Sequence, residues 1–118
     1  MTCEGEPVRV SVCHCLACQR RSGSAFAVQA RFQRGSVELS GQTAEFVRAG
    51  DSGKPIFQQF CPHCGTGVSY HLENEPDLLA IPAGLFGGAE LPSPAYSVYE
   101  DRKMSWVEIC GDGVEHWD

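Results

Sequence analysis

No apolar run in the 118-residue sequence approaches the ~20 residues that a membrane-spanning helix needs. The opening MTCEGEPVRV lacks the basic-then-apolar pattern of an export signal, so the expected location is the cytoplasm, where thiols stay reduced. There is no repeat, linker or low-complexity tract, and the expectation is one domain over residues 1–118. No βαβ pattern is visible, which argues against a thioredoxin-like redox protein. The net charge of −6 disfavours a general grip on nucleic-acid phosphates. Neither a membrane nor a nucleic acid is therefore an expected partner.

What the sequence does hold is a succession of short strands. PVRVSVC (7–13) alternates Val8, Val10 and Val12 with Arg9 and Ser11, the period of a half-buried strand. AFAVQARF (25–32) repeats the pattern with Phe26, Val28, Ala30 and Phe32. SVELSG, AEFVRAG, IFQQFC, GVSYHL, LLAIPAG, AYSVYE and MSWVEIC (104–110) follow, separated by Gly, Pro and Asp turns. This cadence predicts a mainly β domain. LACQRRSG offers one helical turn, too short for a packed helix, and GGAELPSP (87–94) reads as a surface loop. Phe26, Phe32, Phe57, Phe60 and Trp106 are expected in the core or a pocket wall, and Cys110 as a small buried hydrophobe.

Seven cysteines are present, five of them in two tight groups: Cys13, Cys15 and Cys18, then Cys61 and Cys64. In a reduced compartment such clusters point to metal before disulfides, with a redox CxxC as the main rival. Cys13 and Cys15 are placed at the end of a strand, both sulfurs on one face and His14 on the other. With Cys18 returning after a turn, three thiolates can occupy three corners around one Zn²⁺, leaving the fourth for water or substrate. CPHCG (61–65) reads as a zinc-knuckle turn in which Gly65 takes a positive φ. Five clustered thiols are one too many for a single tetrahedral ion and too few for two filled sites. Residues 1–48 carry six arginines against four glutamates, so the cysteine-rich segment is locally positive and suited to an anionic ligand.

The blocks CHCLACQRRSGSAF, QQFCPHCGTGV, PAGLF and DRKMSWVEI, in that order and spacing, resemble the glutathione-dependent formaldehyde-activating enzyme and centromere protein V family over nearly the full length. The resemblance implies a zinc-binding β-tent built of short antiparallel strands. It also implies two zinc ions: an active-site ion on Cys13, Cys15 and Cys18, and a structural one on Cys61 and Cys64 with an earlier C-x-C. The positions matching that C-x-C fall upstream of Met1, so the expectation is a domain lacking this segment, and Cys3 is a poor substitute. The implied reaction is carbon–sulfur lyase chemistry joining glutathione to formaldehyde, with a thiol and a small aldehyde as partners. Arg20, Arg21, Ser22 and Ser24 follow the ligands and can grip carboxylates of such a thiol; His14, between two ligands, can shape the pocket. A non-catalytic zinc-scaffolded interaction module and a thiol redox or zinc-buffering protein are the alternatives.

Overall fold

The computed structural model describes all 118 residues. It is a mainly β, single-domain structure, and no helix is long and apolar enough to cross a membrane. The strands are β1 (Thr2–Cys3), β2 (Arg9–Cys13), β3 (Ala27–Gln33), β4 (Val37–Glu38), β5 (Ala44–Ala49), β6 (Pro55–Phe60), β7 (Gly67–Leu72), β8 (Glu75–Pro82), β9 (Tyr96–Val98) and β10 (Glu115–His116). Eight of them form one sheet in the order β10-β9-β2-β3-β8-β7-β6-β5, while β1 and β4 pair as a separate antiparallel ribbon. Neighbours run antiparallel except β9 against β2 and β10 against β9.

Because strand side chains alternate, the register sorts residues onto two faces. Val10 pairs with Ala30, Ala30 with Ile81 and Phe32 with Leu79, giving one apolar face. Cys3, Val37, Phe86 and Leu91 pack against it, so the small ribbon and the 83–91 segment cover that side. The opposite face carries Ser11, Cys13, Ala27, Gln29 and Arg31, all buried as well. β2 and β3 are therefore buried on both sides rather than half-buried. The polar members of the alternation point inward, not to water.

The sheet is strongly curled. β9 and β5 are six steps apart, which at about 4.8 Å per step would separate them by roughly 29 Å in a flat sheet. Yet Tyr96 of β9 and Arg48 of β5 line the same cavity.

Three further expectations are corrected. LACQRRSG forms a packed helix, α1 (Leu16–Ser22), with Cys18 buried beside Cys13 and Ala27. Its C-terminus is closed by Gly23 at φ 68°, a left-handed conformation natural to glycine. MSWVEIC is not a strand: Val107 N–H donates to the Met104 carbonyl at 3.0 Å in a turn, and no strand falls between β9 and β10. Its alternation places only Val107 in the core, leaving Trp106 75% exposed and Cys110 exposed. The third concerns Cys15, which lies past the strand end.

Candidate metal centre

Cys13 is the last residue of β2, and Cys15 is the N-cap of α1, with φ −63° and ψ 154°. The Cys15 sulfur accepts the Cys18 backbone N–H at 3.4 Å, as an N-cap side chain does. Cys18, three residues on, lies on the helix face turned to β3. The strand end and the helix start thereby bring three sulfurs within 4.8 Å of one another. A tetrahedral ion with metal–sulfur bonds of about 2.3 Å needs sulfurs about 3.8 Å apart, so small side-chain rotations suffice. The trio fits a thiophilic divalent ion such as zinc. No other cluster of three or more Cys, His, Asp or Glu ligand atoms forms in the chain.

Hydrogen bonding between the sulfurs and the charge of Arg21 set the Cys13 and Cys18 thiols apart. A hydrogen bond from Cys13 lowers the Cys18 thiol pKa, and the nearby Arg21 guanidinium adds to the effect. Cys13 is correspondingly pushed up, because it holds the shared proton against Cys18 in a buried setting. Arg21 Nη2 stands 3.8 Å from the Cys18 sulfur, and its guanidinium lies 4.7 Å over the Tyr70 ring.

His14 is fully buried between the two cysteines, its Nε2 2.9 Å from Ser97 Oγ, and its pKa is lowered by burial. Its carbonyl accepts from Gln19 Nε2 at 2.8 Å, tying β2 to α1. Arg20 is exposed on the outer side of the helix. Arg21, Ser22 and Ser24 line a cavity of about 610 Å³ whose far wall is Gly65–Gly67 and Pro82–Leu85. The CPHCG turn thus stands across a groove from α1. Gly65 has φ 78°, as that turn requires, and its N–H donates to the Cys61 carbonyl at 2.7 Å. Cys64 is exposed, 3.1 Å from Thr66 Oγ1, and no third Cys, His, Asp or Glu ligand joins Cys61 and Cys64. His63 is exposed, while His71 stacks on Phe57 with ring centroids 4.8 Å apart.

The three thiols themselves open onto a different cavity, of about 450 Å³, within the range that holds small ligands. Its wall includes Ser11, Gln29, Arg31, Tyr70, Arg48 and Tyr99. Arg31 Nη1 donates to Ser11 Oγ at 2.7 Å, and Nη2 to Tyr70 Oη at 3.2 Å. Burial raises the Tyr70 pKa, so its hydroxyl keeps its proton. Tyr99 holds a left-handed φ of 56°, the one non-glycine residue to do so, which is costly for a bulky side chain. Apart from Ser11, two residues before Cys13, these wall residues stand far from the cysteine segment in sequence. The available signal was a polar residue at alternate positions of two otherwise apolar strands.

The family model described as glutathione-dependent formaldehyde-activating enzyme matches residues 1–102. No curated protein matches the chain.

Proposed function

The chain belongs to the glutathione-dependent formaldehyde-activating enzyme family, and from that premise we propose that it joins a small thiol such as glutathione to formaldehyde or a related small aldehyde, as a zinc-dependent carbon–sulfur lyase. The observation that carries this reading is the trio of sulfurs within 4.8 Å in the wall of a ligand-sized cavity. Cys13, Cys15 and Cys18 would hold the ion, which when bound supplies an open coordination position that keeps an incoming thiol deprotonated near neutral pH. The sulfur then forms a bond to the aldehyde carbon, the C=O π pair moves to oxygen, and the proton lost by the thiol returns to that oxygen. No oxidant or reductant is needed.

The chain's own residues do the rest. Most of the gain comes from holding sulfur and carbonyl together in one cavity. Arg31 donates to Tyr70 Oη, which leaves the phenolic hydrogen free for the cavity. Tyr70 is therefore a suitable hydrogen-bond donor to the oxygen that gains charge. Arg21 sets positive charge beside Cys18, where the trio of sulfurs concentrates negative charge.

The test compares wild type with Cys18→Ser for metal content and for glutathione-dependent consumption of formaldehyde above the uncatalysed rate. One zinc per chain at this trio and its loss together with turnover are expected. Turnover retained in metal-free protein would sink the reading, and stoichiometric zinc with no turnover would favour a structural scaffold.

A further inference from the structure

The wall of the thiol cavity contains charge and hydrogen-bonding capacity that the protein itself leaves unmet. Arg31 is only 8% exposed, and its bonds go to two neutral oxygens, Ser11 Oγ and Tyr70 Oη. No carboxylate lies within ion-pair distance of it, although Arg9, directly opposite in register, has Glu75 at 3.0 Å. Burying a guanidinium without an anion is costly, so such a group is normally paired. The thiols do not serve as that partner: the guanidinium in contact with Cys18 is Arg21's.

Two further groups face the same space. Gln29 is 3% exposed; its Nε2 donates to Ser11 Oγ at 3.2 Å, while its Oε1 is buried with no partner. The Nε of Arg48, on β5, is likewise buried and unpartnered. The curl of the sheet brings these residues of β3 and β5 into the cavity that holds Cys13, Cys15 and Cys18. Two cations with free donors and one free acceptor describe a ligand bearing a carboxylate and an N–H.

We propose that Arg31, Arg48 and Gln29 form a second anchor in the thiol cavity, where the guanidinium groups hold a carboxylate and Gln29 Oε1 receives an amide N–H of the same molecule. The anchor selects peptide-like mercaptans with a free carboxyl end over simple alkyl thiols. It rests on the proposed thiol chemistry only for the sulfur end of the ligand. Arg20, Arg21, Ser22 and Ser24, the arginines and serines next to the cysteines in sequence, are not part of it.

The test uses zinc-loaded protein and ligands without sulfur, followed by nuclear magnetic resonance titration. N-acetylglycine carries the carboxylate and the N–H, N-acetylglycinamide removes the charge, and acetoxyacetate replaces the N–H by an ester oxygen. N-acetylglycine is expected to bind about tenfold or more tightly than the amide, as charge-assisted hydrogen bonds dictate, and several-fold more tightly than the ester. Arg31→Met and Arg48→Met should erase the preference for acid over amide, while Arg31→Lys should restore part of it by keeping charge without the fork. Should Arg31→Met fail to fold, Arg48→Met decides, since that side chain bonds only to the carbonyl next to it. Equal affinity for acid and amide, absence of binding by both, or a preference that survives both methionine variants overturns the anchor. A separate titration of cobalt-substituted protein with ethanethiol reads the sulfur end alone. Its failure would overturn the thiol chemistry while leaving the acid preference to stand or fall by itself.

Discussion

Ser11, Gln29 and Arg31 show how far single residues can be read before the fold is known. Alternation correctly separates them from Val10, Val12, Val28 and Ala30, yet it does not say whether the polar face meets water or protein. Here it meets the inside of a curled sheet, and Arg31 donates to Ser11 Oγ and Tyr70 Oη there. The cysteines were legible for the opposite reason: their proximity is written into one short segment, so spacing alone brings the sulfurs together. Tyr70, some fifty residues on, is tied to them only through tertiary structure and carries no local signal. Replacing Tyr70 by Phe removes one cavity-facing O–H and little else in volume. Its expected effect is a kcat lowered by about 10²-fold, the scale of one lost oxyanion donor, with thiol affinity changed only a few-fold. Steady-state kinetics against thiol concentration check this; an unchanged kcat would remove Tyr70 from the reaction.

Elements were legible where local chemistry dominates and illegible where packing does. The alternating stretches that became β2, β3, β6 and β7 carry β-branched or aromatic residues and are bounded by turn signals. MSWVEIC has the same surface pattern but no partner strand, so its backbone turns instead. In α1 the reverse holds, because a seven-residue helix is too short to persist by propensity alone. Its two ends are closed by Cys15 and Gly23, and Cys18 anchors its buried face. Cys15 thus has a capping role in folding beside the ligand role proposed for it, and substitution can separate the two. Serine is a strong N-cap and alanine a poor one, so metal-free Cys15→Ser should exceed metal-free Cys15→Ala in stability by about 1 kcal/mol. Both variants should lose tight zinc binding equally, for want of the third sulfur. Urea melts of the chelated proteins and competitive zinc titration supply the two readings. Equal melts for the two variants would show that the Cys15 cap contributes nothing to α1.

At the scale of the whole molecule, the decisive feature is the curl of an open sheet that brings β5 and β9 to one cavity, and no segment of sequence announces it. Strand content follows from the cadence of turns, whereas curvature depends on which faces find something to bury. The irregularities at Gln59/Phe60 and Tyr70/Leu72 sit in β6, β7 and β8, where the sheet must bend to bring β5 round to β9. The resulting cavity has unequal walls. β2, β3 and β8 hold most of the buried residues, while β5 is an edge strand with Phe46 and Val47 exposed and only β6 as neighbour. Few buried contacts and an unpaired edge place β5 at the low end of local stability. Amide exchange should therefore be fastest in Ala44–Ala49 among the strands of the large sheet longer than three residues, and slowest in β2, β3 and β8. Arg48 belongs to that labile strand and lines the cavity, so a carboxylate held between Arg31 and Arg48 would link the firm wall to the loose one. Saturating N-acetylglycine should then slow exchange in β5 and β6 several-fold and leave β2 and β3 nearly unchanged, because those strands are already held by packing on both faces. Hydrogen-exchange mass spectrometry resolves these segments. Protection confined to residues 16–24 would instead place the ligand beside α1, on the arginines and serines that follow the cysteines in sequence.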